Sequence, residues 1–300
     1  MKLGWIGAGR MGFDMAKRLA QGGCDIAVWN RTRAKAEPLS QVGAKIVDSL
    51  PELAGRDIVF CMVSTWNDVK DVTQKLLAGS AKPRMIVECS SISLEGSAEL
   101  RQILSAKGIE YLAAPVSGNA KVVKAGKLTF VVSGPKAAYE AARPYLDMMG
   151  RGSSYVGEGE LSRIVKICHN VFLGVVTQSL AEITVLAQKA GVPRHAFLDF
   201  VNNSVMGSMF TRYKTPGLVN LDFSVTFTPQ LLRKDLDLGL DAGRRFEVPM
   251  PLASLTRDLI QQMIGHGLCE QDFSTLLLMQ ARASGLELKP ENVKVSDGLA

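Results

Sequence analysis

The run Gly7-Ala8-Gly9-Arg10-Met11-Gly12 constrains this chain more than any other feature. It follows an apolar stretch, residues 2–6, that reads as a buried strand, and it opens residues 13–20, which read as a helix. In that order each glycine has its own task. The first permits a tight turn, the second lets the backbone approach a pyrophosphate, and the third lets helix and strand pack closely. A phosphate then meets the helix N-terminus and its free N–H groups. A glycine-rich turn without a ligand needs no such order, so the flanking strand and helix favour a dinucleotide.

The residue that faces the adenine ribose lies about twenty positions after the glycines, at the end of the second strand, residues 25–29. An acid there favours NAD. This chain has Asn30-Arg31-Thr32-Arg33 instead. A neutral amide removes repulsion toward a 2'-phosphate, and Arg31 offers a planar donor fork suited to it. NADP(H) is therefore the expected cofactor, with NAD(H) possible. The competing reading is that Arg31 and Arg33 only solvate a loop.

A chain of 300 residues exceeds what one hydrophobic core usually organises, so two domains are expected. The first residues form a strand and not a leader, and no apolar run is expected to reach membrane-spanning length. The 35 basic and 29 acidic residues leave a charge of +6, but no block of like charge and no interleaved aromatics support nucleic-acid binding. Anionic cofactors and substrates account for the excess. Cys24, Cys61, Cys89, Cys168 and Cys269 show no metal-ligand spacing, and His169, His195 and His266 are scattered, so no metal site is expected. Reduced thiols in a soluble cytoplasmic protein follow.

Strand-like runs at 2–6, 25–29, 44–47, 57–62, 85–88 and 110–113 alternate with helical patterns, the rhythm of a doubly wound α/β parallel sheet. Runs at 128–133 and 153–156 flank a helical stretch, 137–149, and are expected to extend the same sheet. The first domain spans 1–158, a helical domain 159–286, and a loosely held polar tail 287–300. The helix at 160–190 is apolar on nearly every side, with Ile164, Val165, Ile167, Val171, Phe172 and Leu180, and such a helix is expected to be buried all round. Gly191 and Pro193 end it, and Thr228-Pro229 starts a later helix.

A nicotinamide carries its own hydride, so the protein needs only orientation, one acid or base, and an anchor for the substrate. Lys166 lies in the first turns of the apolar helix, and Asn170 follows four residues on, on the same face. Burial lowers an ammonium pKa toward the range useful for proton transfer, which makes Lys166 the catalytic candidate; a lysine that snorkels to water is the alternative. Ala114-Pro115-Val116-Ser117-Gly118-Asn119 follows the sixth strand at the carboxyl edge, where open sheets bind ligands. Its hydroxyl, glycine N–H and amide suit a carboxylate, although the same residues make ordinary turns. Ser90 and Ser91 share that edge and are expected within reach of cofactor or substrate. Lys234 by itself reads as a solvated charge, and His169 as a packing residue.

Taken together, these motifs resemble the β-hydroxyacid dehydrogenase family, which includes 3-hydroxyisobutyrate dehydrogenase, tartronate semialdehyde reductase and glyoxylate/succinic semialdehyde reductase. The likeness runs through the glycine block, Asn30-Arg31-Thr32, Ala114 to Gly118, Gly126-Lys127-Leu128-Thr129, Lys166-x-x-x-Asn170 and Lys234-Asp235. It implies a Rossmann-type domain followed by an all-helical one, and Lys166 as general acid/base. It also implies Ser117, Gly118 and Asn170 as substrate anchors, Ser91 and Lys234 as cofactor contacts, and dimers or tetramers joined through the helical domain. Several positions depart from the family: Ala113 replaces an acid, Asn119 a glycine, Lys121 a small residue, His169 an asparagine, and Met62-Val63 a Leu-Pro. At the changed places Asn119 is still a substrate candidate, and Met62 and Val63 still cofactor candidates. Lys121, or else Lys124 or Lys127, is expected to meet a second anionic group on the substrate. An imine reductase of the same architecture would lack Lys166, and a dinucleotide-binding scaffold without turnover would have lost Lys166 or the Ser-Gly pair.

Overall fold

The computed structural model describes residues 1–299, which divide into two compact units, Met1–Lys166 and a second that begins at Ile167. The first opens with β1 (Leu3–Ile6), α1 (Gly12–Gln21), β2 (Ile26–Trp29), β3 (Lys45–Ile46) and β4 (Ile58–Cys61). It continues through α2 (Trp66–Leu76), β5 (Met85–Glu88), α3 (Leu94–Ser105) and β6 (Glu110–Ala113). These six strands form one parallel sheet in the order β3-β2-β1-β4-β5-β6. The winding reverses between β1 and β4, and in such sheets the crevice beyond the strand ends at that reversal is where a ligand fits. Side chains alternate between two cores. Leu3, Trp5 and Phe60 pack with Met15 and Leu19 of α1 on one face, and Ile6, Val59 and Ile86 with Val69 of α2 and Leu104 of α3 on the other.

Next come β7 (Val116–Ser117), α4 (Ala120–Lys124), β8 (Thr129–Val132), α5 (Lys136–Met149), β9 (Gly152–Tyr155) and the start of α6 (Leu161–Lys189). The strands expected to extend the main sheet belong to a second one, ordered β7-β8-β9, with β7 antiparallel to β8. Among the described residues, an isolated antiparallel bridge between Ala113 and Ser133 is the one strand pairing that links the two. Pro115 explains the break. Ala113 and Ser133 exchange both N–H···O bonds (3.0 and 2.9 Å), but two residues on Pro115 accepts from the Val131 N–H at 3.1 Å and has no N–H to return, so the ladder stops.

The second unit holds the rest of α6, then α7 (Arg194–Asn203), α8 (Met209–Asn220), α9 (Pro229–Arg245), α10 (Pro251–Gly265) and α11 (Leu276–Ala283). Thr228 caps α9 by accepting from the Leu231 N–H at 3.4 Å, with Pro229 as first helical residue. A Cβ at Gly239 of α9 would lie 2.2 Å from Val171 Cγ2 of α6, so the glycine is what lets these helices meet.

Three expectations are corrected. First, α6 is not buried all round, since Phe172 and Leu186 are 68% and 70% exposed. By length and composition it is also apolar enough to cross a membrane, with half of its most apolar window buried inside the protein. Second, residues 159–166 belong with the first unit, because Ser162 and Arg163 are buried against its strands. Third, the polar tail is fastened. Glu291 accepts the N–H groups of Arg194 (2.7 Å) and His195 (2.9 Å), and buried Arg194 donates to the carbonyls of Lys289 (2.5 Å) and Val219 (2.8 Å). Sequence periodicity missed this because the hold is polar and long-range.

Candidate active site

The glycine loop fits a dinucleotide position by position. Gly7 has φ +100°, and a Cβ on it would fall 2.2 Å from the Met62 carbonyl oxygen. One on Gly12 would fall 2.0 Å from the Gly7 carbonyl oxygen. Gly9 is the opposite case: nothing lies within 4 Å of its Cβ position, and the residue is exposed. A close turn and a close helix contact therefore require Gly7 and Gly12, whereas the space above Gly9 is open for a pyrophosphate. No side chain caps α1, whose first N–H groups, beside Arg10 and Met11, are the donors that an anion meets.

Asn30 ties this loop to the end of β2. Its Oδ1 accepts from the Ala8 N–H and its Nδ2 donates to the Thr32 carbonyl, each at 2.8 Å. Beyond it Arg31 is 86% exposed, with Asp68 Oδ1 at 3.4 Å as its one ion-pair partner among the described residues. Arg33, by contrast, is clamped by Glu37 at 2.6 Å and Asp48 at 2.5 Å. Of the two arginines, Arg31 is the one able to turn to a 2'-phosphate.

After β4, the Val63 N–H donates to Ser90 Oγ at 2.9 Å, and Met62 N–H to the Ile6 carbonyl at 2.9 Å. Ser90 is fully buried, and its own N–H goes to Glu88 Oε1 at 2.6 Å. Its expected reach to a ligand is thus corrected: it braces the loops, and the half-buried Ser91 beside it is the remaining candidate. Cys61 and Cys89 lie below, where burial, with the Glu88 carboxylate adding to it, pushes both thiols well above their usual range. Such thiols are inert.

In the substrate block Ser117 is half-buried and pairs with Thr129. Gly118 has φ +138°, and a Cβ there would lie 2.8 Å from Val122 Cγ1. Asn119 Oδ1 accepts the Val122 N–H at 3.1 Å, so its carbonyl oxygen caps α4 instead of pointing at a ligand. Lys121 and Lys124 are exposed and Lys127 is half-buried. Lys124 acts on Asp14 of α1: burial raises that carboxyl's pKa, and Lys124 and Lys17 oppose the rise.

Lys166 closes the first unit, half-buried where the sequence suggested a fully dry amine. In the second unit, Asn170 is 5% exposed and donates from Nδ2 to Asp235 Oδ2 at 2.5 Å. Its Oδ1 meets His169 Nδ1 at 2.9 Å, which replaces the packing role expected of that histidine. Asp235, 4% exposed, also faces Lys234 Nζ at 3.3 Å, so Lys234 is paired and not simply solvated. Sequence reasoning quoted Lys234-Asp235 but gave the acid no role. It also missed the buried pair of Glu88 and Arg163. The signal was there: an acid ending an apolar strand, and an arginine one turn before the lysine that was singled out.

Two family models divide the chain between them: the NAD-binding domain of 6-phosphogluconate dehydrogenase over residues 2–157, and the NAD-binding domain of NADP-dependent 3-hydroxyisobutyrate dehydrogenase over 160–279. The chain is 30% identical to glyoxylate/succinic semialdehyde reductase 2, chloroplastic, of Arabidopsis thaliana, covering 92% of this chain and 78% of that one. It is 29% identical to 2-(hydroxymethyl)glutarate dehydrogenase of Eubacterium barkeri, covering 96% and 97%. Among solved structures, Mycobacterium tuberculosis 3-hydroxyisobutyrate dehydrogenase with L-serine superposes with a TM-score of 0.81 at 26% identity, over 93% of this chain and 98% of that one. The parallel sheet, the glycine loop and the helical second unit are those of an NAD(P)-binding oxidoreductase. The chain belongs to the β-hydroxyacid dehydrogenase family.

Proposed function

We propose that this protein interconverts a small carboxylated aldehyde and its 3-hydroxy acid, preferring NADP(H), with Lys166 as general acid/base. The observation that carries the reading is a half-buried lysine four residues before a buried asparagine on one helix, with that asparagine's amide held by Asp235. The bound dinucleotide supplies the hydride or takes it back. The Gly7–Gly9–Gly12 loop, with Arg10 and Met11, would hold its pyrophosphate, and Arg31 with Thr32 its adenine ribose phosphate. Met62, Val63, Ser91 and Lys234 would line the rest of it. Lys166 gives a proton to the carbonyl oxygen in reduction and removes one from the hydroxyl in oxidation. Ser117, the Gly118 N–H and Asn170 hold the substrate carboxylate, and Lys121 meets a second anionic group. The dicarboxylate in the name of the Eubacterium barkeri relative agrees with such a substrate.

Phe172 and Leu186 of α6 and Phe200 of α7 are exposed apolar side chains, which supports a homodimer or homotetramer built through the helical unit; the cytoplasm is the proposed compartment, with which five free cysteines agree. Light scattering that finds only a monomer at micromolar concentration argues against that assembly. The activity is tested by NADPH oxidation with a panel of semialdehydes. Lys166→Ala is expected to lower kcat by about 10²- to 10⁴-fold. Undiminished turnover in the variant would remove the proposed acid.

A further inference from the structure

Arg163 and Glu88 form an ion pair inside the first unit, with side chains 1% and 0% exposed. Every polar atom of the pair is occupied. Arg163 donates from Nη2 to Glu88 Oε2 and to the Tyr111 hydroxyl (3.2 Å), from Nη1 to the Ser90 carbonyl (2.6 Å), and from Nε to Ser97 Oγ (3.2 Å). Glu88 Oε1 accepts the Ser90 N–H at 2.6 Å, and Ser97 and Tyr111 share a hydrogen bond at 2.9 Å. Burial works against the Arg163 charge, but Tyr111 and Glu88 outweigh it and hold the guanidinium above its usual pKa.

Such a pair is a poor device for stability alone. Desolvating two charges costs about as much as their attraction returns, and apolar residues of similar volume often serve equally well. What apolar residues cannot supply is a rigid planar fork with fixed donor directions. Here the fork joins three stretches of main chain. It grips the end of β5 through Ser90 and Glu88, and Ser90 Oγ in turn takes the Val63 N–H beyond β4. The third stretch is its own: the opening of α6, which Ser162 also pins through a hydrogen bond to the Ala113 carbonyl (2.9 Å). Lys166 follows three residues later on the same helix.

We propose that Arg163, with Glu88, is a positioning residue that fixes the Lys166 end of α6 against the two loops, Met62–Val63 and Ser90–Ser91, whose residues Met62, Val63 and Ser91 are proposed above to line the cofactor. The inference rests on the proposed function, since it needs Lys166 to act on a substrate beside that cofactor. It assigns the clamp no contact with substrate or cofactor.

The test compares wild type with Glu88→Leu/Arg163→Met, a swap expected to keep melting temperature within about 5 °C because apolar replacement of a buried pair is often neutral. NADPH affinity is read directly from the change in nicotinamide fluorescence on binding, and kcat and KM from turnover. In the folded double variant kcat is expected to fall roughly tenfold to a hundredfold, with substrate KM within about twofold, as misplacement of a reacting group predicts. NADPH Kd should rise about threefold or more, the loss of one hydrogen bond's worth of loop ordering. Arg163→Lys, which keeps the charge but not the fork, should recover only part of kcat. A double variant with native melting temperature, kcat and Kd overturns the proposal. If that variant does not fold, Ser90→Ala decides: it removes only the acceptor for the Val63 N–H, and a native NADPH Kd in it overturns the proposal as well. Failure of the parent reading looks different: Lys166→Ala then turns over normally, or no semialdehyde reacts, while the Kd measurements still report on the clamp.

Discussion

Alanine at Gly9 and at Gly12 should produce opposite phenotypes, although both glycines belong to one motif. At Gly12 the new Cβ would sit 2.0 Å from the Gly7 carbonyl oxygen and 3.2 Å from Trp5 Nε1. The clash is with main chain, and Trp5 Nε1 already donates to that carbonyl at 2.8 Å, so neither atom can yield alone. Overpacking of this kind costs about 1–3 kcal/mol, which for a unit of this size lowers the melting temperature by roughly 2–12 °C. At Gly9 nothing lies within 4 Å, and its φ is outside the left-handed region. Alanine there should leave stability unchanged or raise it by about 0.4–1 kcal/mol through the unfolded chain. Its methyl group enters the space assigned to the pyrophosphate, so NADPH Kd should rise by roughly a hundredfold, the loss of close approach to the helix N-terminus. Differential scanning fluorimetry and a fluorescence titration on the same samples separate the two. The reasoning is refuted if Gly9→Ala binds NADPH as wild type does, or if it melts as low as Gly12→Ala.

Arg31→Ala should raise the KM for NADPH about 5- to 30-fold, corresponding to about 1–2 kcal/mol for an exposed charge some 4 Å from a phosphate, and leave that for NADH within about twofold. Equal changes with both cofactors would take the 2'-phosphate away from Arg31. In the second unit burial would raise the Asp272 carboxyl, but Lys214 at 2.5 Å, together with Ser274 and Thr226, outweighs it and sets the pKa below the ordinary value. A carboxyl depressed on folding stabilises above its unfolded value, 3.8, and that contribution is lost as pH falls through the folded value. The melting temperature of wild type should therefore drop below pH 3.8 more steeply than that of Asp272→Asn; parallel acid limbs would contradict this. Lys214→Met leaves that carboxylate buried and unpaired, and calorimetry at neutral pH should find it about 3–5 kcal/mol less stable.

The main sheet was legible in the sequence because fully buried parallel strands are short apolar runs between turn signals, and residues 85–88 and 110–113 match β5 and β6 residue for residue. What stayed hidden was polar and long-range. The separate sheet of β7, β8 and β9 depends on where β8 finds a partner, and only the missing N–H of Pro115 hints at it. The fastening of the tail by Glu291 and Arg194 joins positions 97 residues apart, and no local pattern records such a bond. The α6 helix failed in another way. Its composition is apolar around the whole circumference, yet one chain leaves Phe172 and Leu186 exposed, because composition says that a face needs covering but not by what.

Short polar side chains raise the same difficulty inside the site. Asn30 invites a reading in terms of the cofactor, since it lacks the charge that would repel a 2'-phosphate. The structure gives it a second duty: it must accept from Ala8 and donate to the Thr32 carbonyl at once. An aspartate could do the first but not the second, where its oxygen would face another oxygen. Asn30→Asp would therefore loosen the loop whichever cofactor binds, and a change in cofactor preference in that variant would not isolate charge. Discrimination has to be sought in a side chain with no such duty. Arg33 is held by two carboxylates, and Thr32 offers only a hydroxyl, which leaves Arg31, exposed and, among the described residues, paired with Asp68 alone. Substituting Arg31 changes the charge near the ribose without cutting a tie that shapes the glycine loop, and that is why the cofactor question turns on it.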